Sequence, residues 1–180
     1  MNLAWPFAVQ GLLMTVDEFY CHRRRVLRRW ERLGHPLDTL TFIACFIPLL
    51  FFENTIAQPV FIGLALFSCI FITKDEWQHR DLCTGFENWL HALLFMLHPV
   101  VLLWAFYVWR NKPQEFQELG AWVLVFSFGF FLYQLFYWNV LRSRGEIGRL
   151  QTAIAPASNL HAKAKTSPRL NGSHQPAAPR

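Results

Sequence analysis

Four apolar runs, residues 39–52, 59–73, 89–109 and 119–141, limit the folds open to this sequence. The last two have the roughly 20-residue length at which an apolar helix spans a bilayer. The first two reach that length if Asp38 and residues 53–58 lie in the membrane interfaces. We therefore predict an all-α membrane protein with four transmembrane helices. A buried hairpin over 39–73 that does not cross fully is the alternative.

The composition agrees with a membrane location. The 180-residue chain is long enough for one domain, and 53% of it is hydrophobic, with 18 Phe and 8 Trp. The four cysteines form no CxxC pair. Two lie in predicted spans and two on the predicted reducing side, so we expect apolar fillers rather than disulfides.

The basic residues predict the orientation of the helices. Of the 17 Lys and Arg, only Arg110 and Lys112 fall in the two loops on one side of a four-span arrangement. The positive-inside rule then places both termini and the 74–88 loop in the cytoplasm, as in a multi-pass protein of a bacterial-type inner (plasma) membrane. The net charge of +5 suits anionic lipid headgroups, so the bilayer is the expected partner and nucleic acid is not.

The region before the first span predicts an interfacial amphipathic helix over residues 15–33. Thr15 and Glu18 form a capping box, and Gly34 is a natural stop. Arginines cover one face and apolar residues the other, while residues 1–14 show no signal-peptide pattern and are expected on the bilayer surface. The predicted organisation is an N-terminal interfacial segment and amphipathic helix (1–34), a four-helix domain (35–141) and a basic disordered tail (142–180).

Histidines and carboxylates gather at one predicted depth, the cytoplasmic end of the spans. Their spacings of three, four and seven residues place side chains on one helical face. The predicted metal ligands are Glu18, His22, His35, Asp38, Asp75, Glu76, His79, Glu87, His91 and His98. Asp17 is assigned to solvent. For Glu18 and His22 the alternative is an ion pair on a solvated helix face, and for His35 it is a simple helix start.

This donor set predicts metal chemistry. Up to five imidazoles and five carboxylates exceed one tetrahedral zinc shell, which favours two or more iron ions, with zinc or manganese as alternatives. Glu76 and His79 have the Glu-x-x-His form of di-iron helix bundles. The arrangement resembles, in outline, the histidine-rich di-iron sites of membrane hydroxylases and desaturases. The repeated histidine boxes of those enzymes are absent, so the likeness is an analogy.

The analogy implies an oxidoreductase that acts on a lipid or other apolar substrate and receives electrons from a donor protein. Glu76 and Glu87 are the expected catalytic acid–base groups. One alternative is a zinc-dependent membrane hydrolase in which one of them serves as the base. Another is a non-enzymatic metal or proton carrier, which the sequence disfavours because polar residues stop near His98. A haem cytochrome is a further alternative. It is discounted because the second axial ligand would have to be a histidine deep in another span, and the sequence has none there.

Overall fold

The computed structural model describes residues 3–24, 27, 29–75 and 83–142, and every secondary-structure element in these ranges is helical. The α-helices are α1 (Trp5–Val16), α2 (Arg29–Phe51), α3 (Asn54–Phe71), α4 (Gly85–Asn111) and α5 (Pro113–Phe136). Two π-helical turns cover Asp17–Cys21 and Tyr137–Arg142, and two 3-10 turns cover His22–Arg24 and Ile72–Asp75. The chain divides into the units Met1–Val140 and Leu141–Arg180. The tail predicted to be disordered lies, apart from Arg142, outside the described residues.

Helices α2 to α5 confirm the prediction of a four-span, all-α membrane protein at the level of length and composition. The candidate spans are Arg29–Phe51, Asn54–Lys74, Gly85–Asn111 and Pro113–Arg142. The first two are 23 and 21 residues long, well beyond the apolar runs that predicted them. They gain this length because α2 continues through Asp38 and α3 begins at Asn54.

An N-terminal helix is present, but its predicted bounds of 15–33 are wrong. Thr15 lies in the last turn of α1, where its hydroxyl donates to the carbonyl of Gly11 at 2.7 Å instead of capping a new helix. The chain then turns through the π and 3-10 segments, and α2 runs without a break through Gly34 and Pro36. Local cap signals are weak compared with tertiary packing, which decides the outcome here.

Helix α1 lies antiparallel along α4 rather than on the surface expected for residues 1–14. Three contacts mark the alignment. The indole of Trp104 donates to the carbonyl of Leu3 at 2.9 Å, Gln10 bonds His98 at 3.4 Å, and Asp17 bonds His91 at 3.1 Å. From the Asp17 contact to the Leu3 contact the two helices run side by side for about 20 Å, at a rise of 1.5 Å per residue. If α4 crosses a bilayer, α1 extends into it as well.

The apolar core fills the end of the bundle away from the histidines. It includes Phe46 and Leu49 of α2, Phe61 of α3, Val108 of α4 and Phe116 of α5, all of them buried. Close packing of α5 on α2 depends on Gly120, because an added Cβ would lie 3.1 Å from Leu50 and 3.2 Å from Phe116. This core fixes the helix positions that bring the polar residues together at the other end.

Candidate metal centre

Four buried side chains from three segments form a cluster of possible metal ligands. They are Asp17 from the π turn, His22 from the following 3-10 turn, and Glu87 and His91 from the first two turns of α4. One donor atom from each lies within 4.8 Å of the other three. We call these four residues the donor cluster.

Three of the six residue pairs in the donor cluster lie at distances close to those between ligands of one ion. Nε2 of His91 lies 3.1 and 3.2 Å from the two carboxylate oxygens of Asp17. Nε2 of His22 lies 3.6 Å from Oδ2 of Asp17 and 3.6 Å from Oε1 of Glu87. Tetrahedral ligands at about 2.1 Å from a metal are roughly 3.4 Å apart. The cluster therefore needs little movement to hold a cation.

The start of α4 places its two donors. Thr84 caps the helix, and its hydroxyl accepts a hydrogen bond from the backbone N–H of Glu87 at 3.3 Å. Glu87 and His91 are one turn apart, so both face inward from the same side of α4.

Glu18 and His35 lie beside the donor cluster. The ring of His35 is 4.4 Å from that of His22, centroid to centroid, and Oε2 of Glu18 is 3.9 Å from Nδ1 of His22. The Glu18 carboxylate also accepts hydrogen bonds from the amide of Gln134, at 3.2 Å, and from the indole of Trp138. Because the Thr39 hydroxyl donates to Oε1 of Gln134 at 2.8 Å, the Gln134 amide N–H group is directed at Glu18. Gln134 belongs to α5 and Trp138 to the π turn that follows it, and neither was among the predicted site residues.

Two predicted ligands are engaged elsewhere. Asp38 forms an ion pair with Lys74 at 2.6 Å. His98 is two turns deeper than His91 and bonds Ser68 of α3 at 3.0 Å and Gln10 of α1 at 3.4 Å. The structure describes only the backbone of Asp75, and Glu76 and His79 lie outside the described residues.

The assignment of Asp17 to solvent is wrong. Its side chain is buried, with 7% of the residue exposed, and it contacts both histidines of the donor cluster. A straight helix over 15–33 would turn Asp17 outward, whereas the π turn places Asp17 and Glu18 inside together. The sequence does hold one signal for this position. Asp17 and His22 are five residues apart, the spacing of a π turn rather than of an α-helix.

A cavity of about 110 Å³ adjoins the donor cluster and continues toward His98. Besides the polar residues, its walls include Met14, Phe42, Leu94 and Phe95. The cavity therefore has polar walls at the donor cluster and apolar walls beside it.

Comparisons with protein families, with curated proteins and with solved structures found no match to this chain.

Proposed function

We propose that this protein is an integral membrane metalloprotein that binds a transition-metal ion with Asp17, His22, Glu87 and His91. The observation that carries the proposal is the donor cluster, four buried side chains with donor atoms within 4.8 Å of one another. Carboxylates are costly to bury, and ionisable groups inside membranes are usually functional. A divalent cation would balance the two carboxylates and be bound by the imidazoles.

Iron is the metal that this proposal favours, because two imidazoles with carboxylates form the donor set of non-haem iron sites. Occupancy by two ions would draw on Glu18 and His35, which both adjoin His22. Zinc and manganese are the alternatives.

The proposed activity is oxidation of a lipid or other apolar substrate, similar to that of a hydroxylase or desaturase. Bound iron would supply the activation of dioxygen. The chain supplies the cavity beside the donor cluster to position the substrate, and Glu18, held by Gln134 and Trp138, is placed to accept or donate a proton. An electron-donor protein would complete the reaction. If zinc is the metal, the same geometry suits a hydrolase, with Glu18 as the base.

A carrier function fits the structure less well. Beyond the cavity the polar side chains end in a short chain of hydrogen bonds through His98, Ser68 and Thr41. Past these residues lies the apolar core that contains Phe46 and Leu49. A one-sided site supports catalysis at one membrane face, since a carrier requires polar groups across the whole membrane.

We propose that the donor cluster faces the cytoplasm of a bacterial-type inner membrane, because an arginine-rich segment, residues 23–32, follows directly after His22 in the chain. Arg23 belongs to this segment, and its hydrogen bond to the hydroxyl of Tyr137 raises the pKa of its guanidinium. The residues after α5 would be cytoplasmic. Since Leu3 contacts Trp104 near the other end of α4, we propose the opposite side for the start of α1, in place of the cytoplasmic amino terminus expected from charge alone.

Metal analysis of the detergent-purified protein tests the proposal. We expect about one to two iron ions per chain by mass spectrometry, and loss of metal in His91→Ala. Zinc without iron would favour the hydrolase. A wild-type protein that neither contains metal nor takes up iron, zinc or manganese on reconstitution would contradict both forms of the proposal.

A further inference from the structure

A second, larger cavity of about 480 Å³ separates α1 from α5. Its walls are formed mainly by apolar side chains, among them Phe7 and Leu12 of α1 and Trp122 and Phe126 of α5. No charged side chain lines it among the residues that the structure describes. We call this cavity the α1–α5 groove.

The α1–α5 groove joins the cavity at the donor cluster. Five residues line both spaces: Gln10, Met14, Thr39, Phe42 and Phe130. The two cavities therefore adjoin along a shared wall, with polar residues at the cluster and apolar residues beyond it.

The groove runs along the helices toward the opposite end of the bundle. It follows α1 from Thr15 back to Ala4 and α5 from Phe130 back to Leu119, which is about 16 Å on each helix. On its outer side Trp122 and Phe126 are 65% and 81% exposed, surfaces that face lipid if α5 crosses the membrane. Bilayer lipid is thus the molecule adjacent to the groove.

We propose that the α1–α5 groove holds one alkyl chain of a lipid from the leaflet nearer the donor cluster, with the polar end of the lipid at the cluster. The donor cluster lies six residues, about 9 Å, inside the start of α4. Lipids of that leaflet have their headgroups at this surface and their chains pointing inward. The groove has the same direction, so a lipid enters it sideways without inverting.

This inference rests on the proposed function for its chemical consequence. The carbons nearest the headgroup, rather than the methyl end of the chain, would meet the metal. The substrate class is therefore a lipid modified close to its polar end, such as a free fatty acid or an acyl lipid.

Photolabelling of the full chain in lipid nanodiscs tests the orientation. The probes are two palmitic acids, one with a diazirine near the carboxyl group and one with it near the methyl end. We expect the first to label residues around the donor cluster, such as Met14 and Phe95, and the second to label Phe7, Trp122 or Phe126. The reverse pattern, or labelling spread evenly over the lipid-facing surface, would overturn the proposal.

Glycine variants give a matched pair for the same experiment. Gly11 lines the groove and Gly63 does not, and a Cβ added at either position meets nothing within 4 Å. Gly11→Leu should narrow the groove and lower labelling by the methyl-end probe about tenfold, while Gly63→Leu should leave it unchanged. Equal labelling of both variants would contradict the proposal.

The metal content of the same samples separates this inference from the proposed function. Gly11→Leu should keep the metal while losing groove labelling. If the probes label the expected residues but the protein binds no metal, the lipid groove would be supported and the proposed oxidoreductase activity would be contradicted.

Discussion

Nε2 of His91 lies 3.1 Å from Oδ1 of Asp17, so the donor cluster exists only where the end of α1 meets the start of α4. The two residues are 74 positions apart. Asp17 is the first residue of the π turn that ends α1, and His91 is in the second turn of α4. The packing of α1 against α4 therefore brings the donor cluster together.

Replacing Asp17 by Asn should lower metal affinity by at least about tenfold, because the side chain keeps its shape and loses the charge that the cation needs. Metal retained after dialysis against a chelator measures the effect. Asp38→Asn is the control, since Asp38 pairs with Lys74 instead of joining the donor cluster. Equal retention by both variants would show that the Asp17–His91 contact is only a buried hydrogen bond.

Replacing Trp138 by Phe should weaken the centre through Glu18. The change removes an indole N–H donor to the Glu18 carboxylate and leaves the Gln134 contact in place. Glu18 lies 3.9 Å from Nδ1 of the ligand His22, and loss of a group that orients a ligand typically costs about 10- to 100-fold in metal affinity or activity. Because Trp138 acts through Glu18, we expect the lower end of this range, about tenfold. Trp104→Phe, which removes an indole bond to the carbonyl of Leu3, provides the comparison. An equal loss in both variants would indicate a general packing effect.

The sequence predicts the helices better than the site. The apolar runs predict the four spans because the thickness of the bilayer sets the length of an apolar helix that crosses it. Glu87 and His91 could be assigned to one face because both lie on one regular helix, and Thr84 marks its start. Asp17 could not, because its inward position depends on a π turn. The roles of Gln134 and Trp138 depend on which helix packs beside Glu18, which no local pattern encodes.

Acidification should release the metal. Imidazole binds a cation only in its neutral form, so protons compete for His22 and His91 and the affinity falls as the pH falls. With two such ligands the affinity should drop by up to about 100-fold per pH unit at acid pH. Binding titrations across a pH series measure the slope. His22→Gln should reduce it to about tenfold per unit, whereas a slope unchanged from wild type would remove His22 from the ligand set.

Replacing Ser68 by Ala should destabilise the fold without affecting the metal. The Thr41 hydroxyl donates to the carbonyl of Asp38 at 2.8 Å, so Ser68 donates to Thr41, and His98 donates through Nε2 to Ser68. Nδ1 of His98 then accepts from the Gln10 amide, which ties α1 to α4. Ser68→Ala removes two such bonds, and each costs about 0.6–2 kcal/mol inside a membrane, measurable as a lower thermal midpoint in detergent. Ser127→Ala in the groove is the control, and loss of metal from Ser68→Ala would contradict the separation of His98 from the metal centre.

The position of α1 predicts where the residues before it lie. Leu3 contacts Trp104, which is 19 residues into the 27-residue α4, while Asp17 contacts His91 near its start. If the donor cluster faces the cytoplasm, an epitope tag placed before Met1 should be cut by protease added outside right-side-out vesicles. A tag after Arg180 should be cut only in inverted vesicles. Cleavage of both tags from the same side would mean that α1 folds back to the cytoplasmic face, and the contact between Leu3 and Trp104 would then be absent in the membrane.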